Sequence, residues 1–323
     1  MDIRQLRYFV AIAEQGSFSR AAAQLHVAQP ALSLHVRNME TDLKVQLLHR
    51  SPKGVTPTEA GAILLRNARI ILDQIAIAEE EIRGHESDPA GEVRLGLPGT
   101  VSEVLSVPLI TATHQRYPKI KIRIAEAMSG FVLEWMREAR IDLAILYRDV
   151  NDHGIETVRL LEEELCFLGP AVDADEPDLP PPGEALAFAQ AARLPLILPG
   201  PSHGLRELLA RQALTVDIKL NTVIDIDSYG NIKELVRDGF GYSILPANAI
   251  AREARAGELR QWPIANPAIR RAAHLAYSVE RPMTNAVAAI RDLACDVLRD
   301  LARTGKWAGA RACPAPAGED GDA

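Results

Sequence analysis

The sequence predicts a multidomain chain: an all-α-rich head closed by a small hairpin, one long helix, and an α/β body. Three observations carry this. Leu32, Val36, Met39 and Leu43 step by 4, 3 and 4, a single apolar helical stripe opposed by a second, polar face. Leu64, Ala68, Ile71, Ile75, Ala78 and Ile82 continue a 4/3 alternation over nearly four heptads. From Val93 onward, short apolar runs alternate with helical patterns, the signature of an α/β fold with largely parallel sheets. At 323 residues, two or three domains with ample core are expected.

The head opens on an amphipathic helix carrying Asp2 and Glu14. Ser17 is placed to N-cap the next helix, which bears Phe18, Ala21, Ala22 and Leu25. His26-Val27-Ala28 forms the turn, and Pro30, tolerated only in a first turn, starts the following helix near Gln29. Val27 is set to staple onto Leu32, whereas Ala28 is a poor cap that leaves amide donors at the positive helix end. On this helix Gln29, Pro30, Ser33 and Arg37 share a face away from the apolar stripe. A core helix has no need of such a face, and a helix reading the DNA major groove does. The bland alternative for Ser33 alone is an ordinary solvated surface.

Arg50 and Lys53 flank a Pro/Gly turn suited to a β-wing touching phosphates or the minor groove. Thr56, Pro57 and Glu59 then read as N-cap, N1 and N3 of a capping box opening the long helix. Its stripe argues for a dimerising spacer, on the order of 40 Å long at roughly 1.5 Å per residue. A dimer would present two recognition helices to a two-fold-related DNA site.

After a polar hinge at 85–91, strands are expected at 93–97, 120–124 and 141–146, with helices at 101–113 and 131–139. A second set places strands at 194–198, 222–226 and 242–245 and helices at 205–213 and 231–236. Residues 173–183 are too proline-rich for a core element, and 303–323 read as a disordered tail. Two loops follow first strands and open helices: Pro98 to Ser102, and Pro199 to Gly204. Hydroxyls and free amides there suit a carboxylate or other small anion; the competing reading is plain helix caps.

The net charge of −7 divides unevenly. Residues 1–60 hold 7 Lys/Arg against 5 Asp/Glu, +2, leaving 29 against 38, −9, for the rest. A mildly basic head on an acidic body suits nucleic-acid binding at one end only. Cys166, Cys295 and Cys313 are odd in number, far apart and without metal-ligand spacing, so neither a disulfide framework nor a metal site is expected. No apolar stretch nears the ~20 residues that span a membrane. The N-terminus resembles no signal peptide, so a cytoplasmic protein is expected.

Residues IRQLRYFVAIAEQGSFSRAAAQLHVAQPALSLHVRNME and then LLHRSPKGVTPTEAG resemble the winged helix-turn-helix of LysR-type transcriptional regulators. The resemblance extends, weakly in the middle, to about residue 300, and VAQPALS and HGLRELL lean toward the nitrogen-assimilation-control branch. Met39 replaces the family's usual leucine, Lys44 its turn glycine and Leu48 its phenylalanine. Lys44 would strain the turn unless that turn is built differently. The resemblance implies a winged head at 1–60, a linker helix and hinge at 61–91, and a two-lobed, periplasmic-binding-protein-like effector domain at 92–302. Lobe 1 would comprise 92–163 and 268–302, lobe 2 164–267, with 303–323 as tail. It implies an effector pocket between the lobes lined by Thr100, Ser102 and Ser129 from the first, and by Ser202, His203 and Asp227 from the second. It further implies double-stranded promoter DNA with an interrupted palindrome, a small carboxylate or aromatic acid as effector, contact with RNA polymerase, and a homodimer or homotetramer. No cofactor and no catalytic residue are implied.

Two other classes compete. Gly200-Pro-Ser-His-Gly204 satisfies G-x-S-x-G, and Ser202, Asp227 and His274 follow the order of an α/β-hydrolase triad. Against this, Pro201 limits the tight bend of a nucleophile elbow, residues 271–277 read as a strand, and a hydrolase has no use for the first 85 residues. An architectural DNA-binding dimer leaves some 230 residues as mere packing, whereas an effector-independent regulator of the same fold stays open. Gly96 and Gly99 lack dinucleotide-binding spacing.

Overall fold

The computed structural model describes residues 1–52, 54–83, 89–147, 150, 152–171 and 179–313. The head is three helices, α1 (Ile3–Gln15), α2 (Phe18–Leu25) and α3 (Gln29–Leu43), closed by the antiparallel wing of β1 (Leu48–Ser51) and β2 (Gly54–Pro57). Asp2 caps α1 reciprocally: its carboxylate accepts the Gln5 N–H at 2.8 Å, and the Gln5 side chain accepts the Asp2 N–H at 2.9 Å. Ser17 caps α2, accepting the Arg20 N–H. Phe9, Ile12, Ala21, Leu32, Val36, Met39 and Leu48 form the buried head core, with Val27 packed against it. Each large side chain there contributes on the order of 2 kcal/mol by leaving water.

Three local expectations are revised. Leu43, assigned to the stripe, is 45% exposed, because α3 ends there and the chain turns away at Lys44. Lys44 takes the left-handed conformation, φ 54°, that a glycine would adopt without strain, so the turn is built the usual way at a cost of about 1 kcal/mol. The cap of the long helix α4 (Glu59–Arg83) is Thr58 rather than Thr56. Thr58 Oγ1 accepts the Gly61 N–H at 3.0 Å and donates to the Gln46 carbonyl at 2.7 Å. Thr56 and Pro57 are occupied as wing strand, paired with His49 and Leu48. Tertiary pairing of the hairpin thus moved the helix start by two residues.

The expected dimerisation stripe of α4 is divided. Ala68 is buried in the head core and Leu64 packs on it, while Ile75 is half-buried and Ile71, Ala78 and Ile82 are less covered, Ile82 being 85% exposed. Midway, Arg69 and Asp73 attach α4 to the body through Glu138 and Arg281. Of the hinge expected at 85–91, residues 85–88 lie outside the described residues.

The body begins with β3 (Gly91–Leu97), α5 (Gly99–Arg116), β4 (Ile120–Glu126), α6 (Ser129–Arg137) and β5 (Leu143–Leu146). β3 pairs in parallel with both β4 and β5. The 16-residue β6 (Ile155–Pro170) then leaves this first lobe for the second. There follow β7 (Leu186–Ala187), α7 (Phe188–Ala191), β8 (Leu196–Leu198), α8 (Gly204–Thr215), β9 (Thr222–Asp225), α9 (Tyr229–Arg237), β10 (Ser243–Pro246), α10 (Ala247–Arg255) and β11 (Leu259–Ala265). The chain returns through β12 (Arg270–Ser278) to α11 (Asn285–Arg303) and β13 (Ala310–Ala312).

The sheets are therefore mixed rather than largely parallel. β8–β9 and β7–β11 are parallel, but β12 runs antiparallel to β5 and β6, and β10 and β11 run antiparallel to β6. The crossing strands cause this, since one must run out and the other back. Lobe 1 is centred on Leu95, Leu97, Leu105, Leu143, Leu275 and Ile290, and lobe 2 on Phe167, Leu198, Leu209, Ile232, Ile244 and Trp262. The proline-rich loop at 173–183 is described only from Leu179, where Pro180 accepts the Trp262 indole N–H at 2.7 Å. The assignment of 303–323 as a disordered tail is corrected for 303–313. Trp307 is buried in lobe 1 and β13 adds to β6 opposite Leu161 to Glu163, an anchoring that the alanine-rich sequence does not advertise; residues 314–323 lie outside the described set.

Candidate DNA-reading face and inter-lobe site

With Leu32, Val36 and Met39 inward, α3 presents Gln29, Pro30 and Arg37 exposed and Ser33 half-exposed. Ala28 supplies no side-chain cap, and in the first turn the Ala31 N–H donates back to the Ala28 carbonyl at 3.0 Å beside Pro30. Arg50 is not a free wing cation. Its guanidinium donates to Ser33 Oγ at 3.3 Å, pairs with Glu40 at 3.8 Å and covers the Phe18 ring at 4.7 Å, which ties wing to helix. Lys53 lies outside the described residues. His35 packs edge-on against Tyr8, away from this face. Leu34, 55% exposed between Pro30 and Arg37, was missed because apolar character argues for core. Its offset from the buried stripe was the available signal.

The effector-site residues do not all converge. Thr100, buried at the start of α5, hydrogen-bonds the Tyr147 hydroxyl at 2.9 Å and accepts from Arg271 Nη2 at 3.3 Å. Ser102 is engaged with Ser106 at 3.0 Å along its own helix. Ser129 is half-buried at the start of α6, and Ser202 is exposed before α8. His203 is the N-cap of α8, its Nδ1 accepting the Leu205 N–H at 3.1 Å, and its ring meets Tyr229 at 5.7 Å. Asp227 accepts the Gly200 N–H at 2.9 Å. His203 and Asp227 thus serve the turn, while Thr100 belongs to a polar cluster that crosses between lobes.

Sequence reading overlooked the centre of that cluster. Arg271 and Glu163 are direct cross-strand partners on β12 and β6, joined Nε to Oε1 at 2.5 Å, and both side chains are buried. Glu163 also accepts the Trp307 indole N–H at 2.8 Å. The guanidinium lies 3.5 Å over the Tyr147 ring, and its charge acts on the Tyr229 phenol of lobe 2. From the same lobe Asn248 reaches the Thr100 carbonyl at 3.5 Å. Burial works against the Arg271 cation, but Glu163 more than offsets it and holds the group above its ordinary value. Burial, then the Arg271 charge, pushes His203 below its ordinary value, leaving the ring neutral at pH 7.

The hydrolase alternative needs Ser202, Asp227 and His274 side by side. The fold sets the first two on lobe 2 and His274 in mid-strand on β12, paired with Leu146 and Arg159 in lobe 1.

A model of bacterial regulatory helix-turn-helix proteins of the lysR family matches residues 3–62, and the LysR substrate binding domain matches residues 86–299. The chain belongs to the LysR family. It is a transcriptional regulator with a DNA-binding head and an effector-binding domain, and the family consists of regulators rather than enzymes. The nitrogen assimilation regulatory protein nac of Escherichia coli (strain K12) is 32% identical over 254 residues, 77% of this chain and 79% of the relative. The hydrogen peroxide-inducible genes activator of Pectobacterium carotovorum subsp. carotovorum is 29% identical over 283 residues, covering 88% of this chain and 92% of the relative. Such similar identities assign the family rather than a branch. A full-length OxyR variant from Pseudomonas aeruginosa superimposes with a TM-score of 0.77 at 24% identity, covering 93% of this LysR chain and 95% of that one, which speaks for the fold. Among the described residues no helix is long and apolar enough to cross a membrane.

Proposed function

We propose that this LysR regulator reads an interrupted palindrome as a dimer, or a tetramer of two dimers, and responds to a small carboxylic acid held between its lobes. Gln29, Pro30 and Ser33 read base edges, while Arg37, Arg50 and Lys53 hold phosphates or the minor groove. Arg50 does so while bracing Ser33. The single observation that carries this reading is the exposed polar face of α3, set opposite a wholly buried stripe of Leu32, Val36 and Met39. Effector capture shifts the lobes, hence the head placement and its contact with RNA polymerase.

A thiol-based peroxide response, the other reading suggested by the relatives' names, has less support. Burial pushes the Cys166 thiol up to about 12 and raises Cys295 as well, leaving little of the reactive thiolate at neutral pH.

Footprinting of the intergenic DNA beside the gene, with and without small acids, tests the reading. Ser33→Ala is expected to relax sequence preference, and Lys53→Ala to weaken all sites alike and flatten the salt dependence. Unchanged affinity and preference in Ser33→Ala would refute the recognition face.

A further inference from the structure

Between the lobes, the cluster around Arg271 differs in kind from a packed core. One edge of the guanidinium is fixed from behind: Nε is bound to Glu163 Oε1 at 2.5 Å, and Glu163 is itself held by the Trp307 indole at 2.8 Å. One face is fixed by the Tyr147 ring at 3.5 Å. The other edge, carrying the Nη donors, meets the Thr100 hydroxyl at a long 3.3 Å, with the Tyr229 phenol near enough to feel its charge. The carboxylate that balances the charge therefore stands on one side, and the Nη edge meets a neutral hydroxyl on the other.

Two properties follow from that asymmetry. The Nη edge is a preorganised fork, its rotamer locked before any ligand arrives, which lowers the ordering cost of binding. It also lies among weak acceptors that a carboxylate would outcompete, since charge-assisted hydrogen bonds are roughly twice as strong as neutral ones. The elements meeting there come from both lobes and both crossing strands: α5 with Thr100, β6 with Glu163, β12 with Arg271, and α9 with Tyr229. A ligand drawing on Arg271 and Tyr229 together would change how tightly the lobes close.

Resting on the effector reading above, we propose that Arg271 is the carboxylate anchor of the inter-lobe site, positioned by Glu163 and Trp307, and that the site selects a small planar monocarboxylic acid. The anchor is thus a hinge-strand side chain and not the helix N-termini at Thr100 and Ser202. Monoacids are selected because Glu163 already neutralises Arg271, while His203 is neutral and Asp227 on the lobe 2 rim repels a second carboxylate. Planarity follows from the rings of Tyr147, Tyr229 and His203, of which the last two are in contact.

The test is thermal melting and calorimetric titration of the full chain with benzoate, salicylate and pyruvate, each paired with its neutral amide, and with phthalate as a diacid. At least one monoacid is expected to raise the melting temperature with concentration, its amide and phthalate much less. Arg271→Gln alone would leave Glu163 buried and unpaired, so the informative variant is Arg271→Gln with Glu163→Gln, which removes both charges together. That double variant, checked for a cooperative melt, is expected to bind the acid about tenfold to a hundredfold more weakly. An acid bound equally by parent and double variant overturns Arg271 as anchor yet keeps an effector site. Amides binding as well as acids overturns carboxylate selection. If neither acids nor amides bind, both the anchor and the small-acid reading fall, and footprinting still judges the DNA-binding reading separately.

Discussion

Replacing Asp142 with Asn should loosen the junction of head, linker and lobe 1 more than its modest chemistry suggests. One buried carboxylate there accepts four N–H donors: the Arg94 backbone at 2.8 Å, Arg94 Nε at 3.0 Å, Arg94 Nη2 at 2.7 Å and Arg281 Nη2 at 2.8 Å. Arg281 continues to Asp73 on α4 and to the Ile141 carbonyl, and Arg94 lies 4.0 Å from Glu14 of the head, which also holds Arg69 at 3.0 Å. Asn keeps the shape but removes the charge and turns an amide donor toward guanidinium groups. Breaking a buried pair from one side costs about 3–5 kcal/mol. Because Asp73 and Glu14 remain as partners, the low end applies, about 3 kcal/mol.

For a body of this size that lowers the melting temperature by roughly 6–12 °C at pH 7. The acid side supplies a second readout. Burial disfavours the Asp142 carboxylate, but Arg94 and Arg281 outweigh it and hold its pKa below the usual carboxylate value. The unfolded chain therefore takes up the proton first. The stabilisation is complete above the ordinary range near ~4 and is lost as pH falls toward the depressed folded value. Asp142→Asn should flatten this acid limb in a melting series from neutral to acidic pH. A variant melting within about 1 °C of the parent at pH 7, with its acid limb intact, would refute this reasoning.

Three further outcomes are expected. A Cβ on Gly61 would stand 1.9 Å from the Leu47 carbonyl oxygen, backbone that cannot swing aside, so Gly61→Ala should abolish the footprint while the body still melts normally; a parental footprint would contradict this. Ile71, 40% exposed on α4, should bury against a second copy, and Ile71→Asp is expected to raise the dimer dissociation constant by about tenfold or more in sedimentation runs. Unchanged sedimentation would place the dimer contact elsewhere. Leu34, 55% exposed on the reading face, suits a thymine methyl, and Leu34→Ala should cost about 1 kcal/mol of preference at one base position, read by selection from randomised sites. An unaltered selected sequence would remove Leu34 from the reading set.

How much of this was legible depended on the range of the interaction. The head was readable because its signals are local. Ser17 caps within three residues, Pro30 can sit only in a first turn, and the 4/3 spacing of Leu32, Val36 and Met39 reports one buried side. The cap at Thr58 was misplaced to Thr56 because both positions satisfy the local pattern, and only the pairing of Thr56 with His49 chooses between them. β6 was not anticipated because three consecutive glutamates argue against a strand, and nothing near Glu163 announces its partner.

The sequence by itself therefore determined the recognition helix, the wing, the long linker and the α/β rhythm of the body, all written in short-range periodicities. Tertiary structure alone decided the inter-lobe centre. Arg271 and Glu163 stand 108 residues apart and meet because β6 and β12 pair antiparallel with these two residues opposite each other, with Trp307 closing over them from the far end of the chain. A slip of one strand by one residue would turn its side chain to the face opposite its partner and part the pair. Register over such a separation depends on the packing of both lobes, and no local pattern encodes it.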